Sequence, residues 1–329
     1  MPTYTGISSE AFKHPLDRQA EEALRSVPGF DLLSRSFLEY LYERPQQVFL
    51  LGNNLKAGPR QYSTVYGMFR ECVRDLDISP EPTLYVNQSY QVNSYALGGH
   101  ELTYIVINTG LLELLDETEI RTVLAHELGH IKCDHTVLIQ MAIWAMGAAS
   151  MLGDLTLGLG KLITSGLIFA FYEWRRKAEL SADRAALLVM NDLNPVMQTM
   201  MKLAGGSSKF LNECNLDEFM RQSQDYQELD QDTLNQLYKF LIYNGGGGTF
   251  LSHPFPVERL QYLREWSRSE EYRQILKGNY QRVGEKGSVD VNYNDKSDKN
   301  ESEVEQLQSQ IKDLQDEINR IKSRKNSDQ

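Results

Sequence analysis

Three residues near the middle of the chain have the types and the spacing of a metal site. His126, Glu127 and His130 form the pattern H-E-x-x-H. In a helix, residues four apart project from the same face, so the two imidazoles can bind one metal ion. Glu127 projects within the same sector, where its carboxylate can take a proton from water bound at the metal's open position. The pattern therefore predicts a zinc site that activates water, and the alternative is a surface helix with two solvated histidines.

The residues around this motif predict a capped and buried helix. Asp116 and Glu119 fit the N-cap and N3 positions of a capping box, and Leu115 and Ile120 are placed as a hydrophobic staple. A helix held by a core keeps metal ligands in a fixed geometry, which favours the zinc interpretation. Apolar residues that recur at helical spacing mark the buried face, and they are Ile120, Val123, Leu124, Leu128 and Ile131.

Two histidines do not complete a zinc site, so the chain must supply a third ligand. His135 is the nearest histidine, but on a continuous helix it projects from the side opposite His126. Cys133 projects roughly toward the ligand face, although a cysteine in this position is more often a small buried residue. Neither residue is the first choice for the third ligand.

A pair of carboxylates farther along the chain is the better candidate. Glu179 and Asp183 lie four residues apart in a segment that reads as a helix, among alanines that permit close helix packing. One carboxylate can bind zinc while the other accepts the free N–H of a ligand histidine. Such a pair is by itself usually a charged helix face, and its place downstream of H-E-L-G-H makes it specific.

Four stretches in a fixed order give the chain a family likeness. They are residues 92–99 (V-N-S-Y-A-L-G-G), residues 109–112 (T-G-L-L) leading into H-E-L-G-H and His135, residues 179–183 (E-L-S-A-D), and residues 252–254 (S-H-P) with Arg259. Jointly they resemble the HtpX / CAAX prenyl endopeptidase family of gluzincin zinc metallopeptidases, metallopeptidase family 48. We therefore expect an α+β, mostly helical fold with a small β-sheet and an active-site helix.

The resemblance also implies roles for individual residues. Residues 92–99 would supply the substrate-binding residues Asn93, Tyr95 and Ala96. Ser94 departs from the family, where alanine is common, and we expect no effect of this departure on the chemistry. The other implied roles are His126, His130 and Glu179 as ligands of one Zn²⁺ per chain, Glu127 as catalytic base, Asp183 and Arg259 as supports of the ligands, and His253 near the oxyanion.

A zinc site of this kind predicts peptide-bond hydrolysis. Zinc held by three ligands lowers the pKa of a bound water toward about 7. Glu127 would accept the proton as water attacks the scissile carbonyl and deliver it to the departing amine, with His253 near the oxyanion. Residues 102–107 (L-T-Y-I-V-I) predict a strand. Either its exposed edge binds an extended substrate through main-chain hydrogen bonds, or it is an ordinary buried strand.

Residues 245–248 are four consecutive glycines ahead of His253. Glycines have little backbone preference, so this stretch is either a tolerant surface turn or a hinge. As a hinge it would let His253 alternate between blocking the open position of zinc and hydrogen-bonding the oxyanion.

Composition is that of a globular protein with one large core or two domains. The chain has 329 residues, of which 41% are hydrophobic and 24% charged. A formal net charge of −11 argues against nucleic-acid binding and against adhesion to anionic lipid by charge. Cys72, Cys133 and Cys214 form no close-spaced framework, so we predict no disulfide. The N-terminus shows no secretory signal, and we expect a cytoplasmic protein.

Turn and composition signals predict four segments. Residues 1–78 read as an N-terminal helical region that packs on the protease, and residues 79–275 as the zinc metallopeptidase domain, with short strands within about 84–108. Residues 276–300 read as a flexible polar linker, and residues 301–325 as a coiled-coil helix.

The tail and an apolar hairpin suggest contacts with other surfaces. Six apolar residues from Val304 to Ile321 fill successive a and d positions, which predicts a homo-oligomer, and the alternative is one amphipathic helix docked on its own domain. Residues 137–153 and 162–172 lack charges, but each is shorter than the about 20 apolar residues of a membrane span. We therefore favour buried or monotopic helices over spanning ones, with peripheral membrane association left open.

These features together predict a zinc-dependent endopeptidase. Its partners would be polypeptide substrates, namely misfolded or otherwise accessible proteins, and its role would be protein quality control. The alternative is a scaffold or chaperone-like protein that keeps the fold and binds partners through the apolar hairpin and the coiled-coil tail.

Overall fold

Helices make up most of the protein and enclose a small β-sheet, which confirms the predicted α+β, mostly helical class. The computed structural model describes residues 3–27, 30, 43–99, 102–141, 159–230, 235–236, 239, 242–243 and 254–284. The helices are α1 (Pro15–Arg25), α2 (Glu43–Asn53), α3 (Ser63–Asp75), α4 (Thr109–Leu114), α5 (Glu117–Lys132), α6 (Leu159–Met190), α7 (Leu193–Gly205), α8 (Leu216–Asp230), α9 (Pro256–Ser267) and α10 (Glu270–Leu276). The strands are β1 (Leu55–Lys56), β2 (Thr83–Asn87), β3 (Ser94–Gly98) and β4 (Thr103–Asn108).

The four strands form one mixed sheet in the order β1-β2-β4-β3. β2 and β4 are parallel, and the other two pairs are antiparallel. Because β4 is paired on both sides, the interpretation of residues 102–107 as an exposed substrate-binding edge is wrong, and the buried strand is what the structure shows. β1 lies within residues 1–78, which the sequence predicts as helical. A two-residue strand is too short to leave an alternating pattern.

Alternation along the strands gives the sheet two buried faces. Ala96 and Ile105 point to the face that belongs to the main core, together with residues of α5. Tyr104 and Val106 point to the opposite face, where Leu50 of α2 covers them. β3 is the edge strand of the sheet next to β4, and it lies directly beside the helix that carries H-E-L-G-H.

α5 begins as the sequence predicts and packs closely on α6. The carboxylate of Asp116 accepts the N–H of Glu119, and the carboxylate of Glu119 accepts the N–H of Asp116, at 3.0 Å each, which confirms the capping box. Gly129 faces α6, and a Cβ at this position would lie 2.7 Å from the Cβ of Ala185. Glycine is therefore required for this close approach, which brings Glu179 toward the motif.

The N-terminal segment and the end of the described chain pair with each other. Ser8 N–H donates to the carbonyl of Gln281 at 2.9 Å, and Val283 N–H donates to the carbonyl of Gly6 at 2.8 Å. These bonds hold residues 281–283 against the N-terminal segment, and the flexible linker over residues 276–300 stays a prediction. Met1–Gly284 form one compact unit. The predicted coiled coil, residues 301–325, lies outside the described residues, and a domain boundary at residue 78 stays a prediction.

Among the described helices, none has both the length and the apolar character that crossing a membrane requires. Residues 142–158, the middle of the predicted apolar hairpin, lie outside the described residues.

Candidate active site

The H-E-x-x-H motif of α5 and the first carboxylate of the E-x-x-x-D pair on α6 meet at one point. Nε2 of His126 lies 3.3 Å from Oε2 of Glu179, and Nε2 of His130 lies 3.4 Å from Oε1 of Glu179. One potential ligand atom from each of the three residues falls within 4.8 Å of the other two. His130 and Glu179 are buried, whereas His126 is half-buried and reaches the cavity beside them.

This set of donors fits a zinc ion. Zinc in proteins is bound by imidazole nitrogens and carboxylate oxygens, and tetrahedral bonds of about 2.0–2.1 Å place neighbouring donors roughly 3.4 Å apart. The two separations to Glu179 have this value. Three protein ligands leave the fourth position open for water or substrate, as catalytic zinc sites do.

Cys133, the alternative third ligand, does not join this group. It is the buried C-cap of α5, and burial raises the pKa of its thiol well above the ordinary value. A thiolate is the form that binds zinc, so this environment disfavours ligation.

The second ring nitrogen of His126 is held by the next carboxylate of α6. Oδ1 of Asp183 lies 3.0 Å from Nδ1 of His126. Arg259 of α9 donates to both oxygens of Asp183, at 2.8 and 2.5 Å, and a third nitrogen of its guanidinium lies 3.2 Å from Glu179. One arginine therefore braces both acidic side chains of the E-x-x-x-D pair.

The surroundings of the two histidines of the motif shift their pKa values in opposite directions. Burial by itself would lower the pKa of His126, but hydrogen bonds and negative charges from Asp183 and Glu179 raise it to about 10. Burial lowers the pKa of His130, and the single carboxylate of Glu179 does not offset this effect. Burial would also raise the pKa of Asp183, but the charge of Arg259 keeps it below its ordinary value.

The second ring nitrogen of His130 contacts another histidine. Nδ1 of His135 lies 3.0 Å from Nδ1 of His130, and Nε2 of His135 lies 3.0 Å from Oδ2 of Asp17 on α1. The prediction that His135 lies on the side opposite His126 required a continuous helix, and it is wrong because the helix is not continuous through this residue. α5 ends at Lys132, and Asp134 has φ 57°, in the left-handed region, so His135 turns back toward His130. His135 nevertheless contacts the ring nitrogen of His130 that faces away from the other ligands.

Glu127 has a hydrogen-bond partner that sequence reasoning missed. The hydroxyl of Ser94, on β3, donates to Oε1 of Glu127 at 2.6 Å. The departure from alanine at this position therefore contacts the predicted base directly. Residue 94 shares a sheet face with Ala96, which packs in the main core, and this role of the serine becomes visible only when β3 is placed beside α5.

A cavity of about 390 Å³ opens beside the three donors. Of the three predicted substrate-binding residues, Asn93 lines it. Tyr95 packs on the opposite face of the sheet, and Ala96 is buried in the main core, so neither side chain lines the cavity as the prediction required. Pro254 also lines the cavity, while its neighbour His253 and the glycines at 245–248 lie outside the described residues. The apolar part of the lining includes Leu111, Val123, Ala186, Val196, Met200 and Leu203.

Comparisons with known proteins agree with this geometry. A family model described as peptidase family M48 matches residues 59–267. A plastoglobule-localized metallopeptidase 48 of Arabidopsis thaliana, described as chloroplastic, is 36% identical over 276 residues, which cover 83% of this chain and 77% of the relative. A protease HtpX homolog of Dictyoglomus turgidum is 26% identical over 171 residues, or 50% of this chain and 52% of the relative. Another, from Acidiphilium cryptum, is 31% identical over 126 residues, or 38% and 40%.

A helical domain with a small sheet and a His-His-Glu group defines the class of zinc metallopeptidases. Since the family match covers more than half of the sequence, the chain belongs to peptidase family M48. It is a metalloprotease, a hydrolase that acts on polypeptides, and the likeness predicted from the four sequence stretches is confirmed. The chain spans about half or less of the length of the two HtpX relatives that it matches.

Proposed function

We propose that the protein is a zinc-dependent endopeptidase in which His126, His130 and Glu179 hold one zinc ion and Glu127 is the catalytic base. The observation that carries this proposal is the convergence of the three donors within 4.8 Å, at a cavity that Glu127 also lines. When bound, zinc polarises the scissile carbonyl and lowers the pKa of the attacking water. Asp183 keeps His126 oriented, and Arg259 keeps Asp183 and Glu179 in place.

The hydrogen bond from Ser94 gives the two oxygens of Glu127 different tasks. Oε1 accepts the hydroxyl of Ser94 at 2.6 Å, so Oε2 takes the proton of the attacking water and later gives it to the departing amine. His253 follows in the chain immediately before the cavity-lining Pro254. We assign it to the oxyanion, with the glycines at 245–248 as the hinge of a gate.

Main-chain bonds of β3 show which of its residues face β4. Asn93 accepts the N–H of Asn108, and Gly99 donates to the carbonyl of Leu102, each at 3.0 Å. In an antiparallel pair, residues that exchange hydrogen bonds alternate with residues that do not. The odd-numbered residues from 93 to 99 therefore direct their main-chain groups toward β4.

The even-numbered residues direct theirs toward the outer edge of β3, which no described strand covers. Gln140 donates to the carbonyl of Gly98 at 3.1 Å and so occupies one end of this edge. Ser94 and Ala96 supply the remaining N–H and C=O groups beside the metal ligands. We propose that an extended substrate pairs with them as an added strand, which largely ignores side-chain identity.

The proposed substrates are misfolded or otherwise accessible proteins. A cavity of about 390 Å³ with an adjoining strand edge admits an extended segment but not a folded domain. Recognition through the main chain suits many sequences, as protein quality control requires. The apolar lining favours a hydrophobic substrate side chain next to the scissile bond.

Metal content and proteolysis, measured together, test the site. Glu127→Gln should retain about one zinc per chain and lose casein cleavage by roughly 10²–10⁴-fold, since the base is removed and the ligands are not. Glu179→Ala should lose both zinc and cleavage. If Glu179→Ala binds zinc as tightly as the wild type, the third ligand is misassigned. If Glu127→Gln cleaves casein at the wild-type rate, the scaffold or chaperone-like alternative gains the stronger case.

Substrate state tests the assignment to quality control. One globular protein is offered to the enzyme in its native form and in a reduced, carboxymethylated form that does not fold. The unfolded form should be cut and the native form spared. Equal rates on both would contradict selection of accessible chains.

Two proposals concern the surroundings of the protease. Deletion of residues 301–329 should lower the mass seen in light scattering while cleavage of a short peptide continues, if the predicted coiled coil forms the homo-oligomer.

The plastoglobule-localized relative supports a peripheral place at a lipid surface. A carbonate wash that releases the protein from membranes would agree with this, and full retention would contradict it.

A further inference from the structure

The two ligand histidines are held from different parts of the chain. His126 contacts Asp183, which lies inside the stretch that matches the family model, residues 59–267. His130 is connected through His135 to Asp17, which lies on α1, before that stretch begins. Asp17 and His135 are both completely buried. A buried carboxylate is costly unless it is paired, so its position beside His135 calls for an explanation.

The protons along this series of contacts have only one arrangement when Nε2 of His130 binds a metal. The neutral ring then carries its proton on Nδ1 and donates it to Nδ1 of His135, 3.0 Å away. His135 must therefore carry its own proton on Nε2, from which it donates to Oδ2 of Asp17 at 3.0 Å. Each group has one role, and an acceptor is required at the end of the series.

Asp17 is itself fixed by α6, the helix of the third ligand. The hydroxyl of Ser181 donates to Oδ2 of Asp17 at 2.6 Å, and the main-chain N–H of His14 donates to the oxygen of Ser181 at 2.9 Å. Burial would raise the pKa of Asp17, but His135, Ser181 and Lys13 lower it to about 2, so the acceptor is ionised. α1 is thus tied to one ligand through His135 and to the helix of another through Ser181.

We propose that Asp17 is a positioning residue of the metal site, which fixes the tautomer and the ring orientation of His130 by acting through His135. α1 is then a part of the metal site and not an appendage to the protease. This inference rests on the proposed zinc ligands. Removing a group that directly contacts a ligand histidine weakens metal binding by about 10–100-fold. Because Asp17 acts one contact farther away, we expect Asp17→Asn to weaken zinc binding about tenfold, at the lower end of that range.

Zinc affinity of the full-length protein, measured by competition with a chromophoric chelator, tests this inference. Glu22→Gln is the matched control, because Glu22 is an exposed acid on the same helix. It should leave the Kd for zinc unchanged. Asp17→Asn should also shift the d–d absorption of bound Co²⁺, while Glu22→Gln should not.

A double-mutant cycle shows whether Asp17 acts through His135. Asparagine at position 135 keeps an acceptor for His130 but breaks the link to Asp17. His135→Asn should weaken zinc binding by about as much as Asp17→Asn, and the double variant should show no further loss. Equal, additive losses would mean that Asp17 acts independently of His135 and would overturn the proposal.

Two further results decide whether Asp17 positions His130. Asp17→Asn that folds by circular dichroism and binds zinc with the wild-type Kd overturns the inference. If Asp17→Asn does not fold, His135→Asn decides alone: a loss of about tenfold supports the inference, and an unchanged Kd overturns it. The proposed function fails separately, if the wild type binds no zinc or if Glu179→Ala keeps it.

Discussion

The two histidines of H-E-x-x-H lie on one helix and face one carboxylate, yet their environments are opposite. His126 lies at the rim of the cavity, where Asp183 and Glu179 raise its pKa to about 10 despite burial. His130 lies deeper. Its Nδ1 contacts the imidazole of His135 and not a carboxylate, and burial lowers the pKa of His130. The difference shows that the helix sets the spacing of the two rings, while their surroundings set the pKa of each: Asp183 and Glu179 raise that of His126, and burial lowers that of His130.

The two sides also differ in which elements support them. At the rim, the contacts come from α6 and α9, both within the stretch that matches the family model. On the buried side, the last contact comes from α1, outside it. We therefore expect the contacts of His126 to govern competition between proton and metal, and the contacts of His130 to govern the orientation of its ring. Each assignment can be tested by changing one side at a time.

The largest effect is expected at the rim. Asp183→Asn removes the charge that directly contacts His126 and leaves Arg259 without its bidentate partner. We expect zinc affinity to fall by up to about 100-fold, against about tenfold for Asp17→Asn. Chelator competition on both variants ranks the two sides. If Asp17→Asn is the more damaging of the two, the ranking of the rim over the buried side is reversed.

The next effect is on stability in acid and isolates the buried side. Asp17 has a folded-state pKa of about 2, below its unfolded value. Its contribution is therefore fully present above pH about 4 and is lost as pH falls through about 2. In excess chelator, wild type should exceed Asp17→Asn by on the order of 2 kcal/mol in the free energy of unfolding by urea. This gap should close between pH 4 and 2. A gap that is constant with pH would show that the charge of Asp17 is not what stabilises the fold.

Zinc binding should depend on pH through the rim histidine. Because the pKa of His126 is raised to about 10, this ring carries a proton at neutral pH that zinc must displace. The affinity should therefore rise about tenfold per pH unit between pH 6.5 and 8.5. Asp183→Asn removes part of the charge that raises this pKa, so its slope should be smaller. Equal slopes for the two proteins would remove Asp183 as the cause of the raised pKa.

Local sequence periodicity predicted one part of this site and could not predict the other. The capping box at Asp116 and the shared face of His126 and His130 follow from spacing within a single helix, and the structure contains both. The contact of His135 with Asp17 joins residues 118 positions apart and depends on the left-handed turn at Asp134. No pattern within either segment encodes that meeting.

The edges of the sheet likewise depend on contacts between distant segments that no local pattern predicts. The apolar run that became β4 is visible in the sequence, but which of its edges is covered depends on the partners that β2 and β3 provide. The edge that no described strand covers, that of β3, is one strand away from the predicted one. The serine at position 94 departs from the family, and the sequence gives no reason for it. The reason becomes visible when β3 is placed beside α5, because the hydroxyl then reaches Glu127.

The smallest effect is expected when the hydrogen bond between Ser94 and Glu127 is removed. This change separates catalysis from metal binding. The side chain of Ser94 hydrogen-bonds the proposed base, Glu127, and not the proposed zinc ligands, so Ser94→Ala should leave the Kd for zinc unchanged. Loss of this hydrogen bond should raise the activation free energy by about 1 kcal/mol, because Glu127 is less well oriented and water in the cavity replaces only part of the bond. We expect kcat to fall roughly fivefold, with little change in KM. Ser94→Thr keeps a hydroxyl and serves as the control. The geometry implies that the proposed base and the proposed metal ligands are supported by separate contacts. A fall in zinc affinity for Ser94→Ala would contradict this.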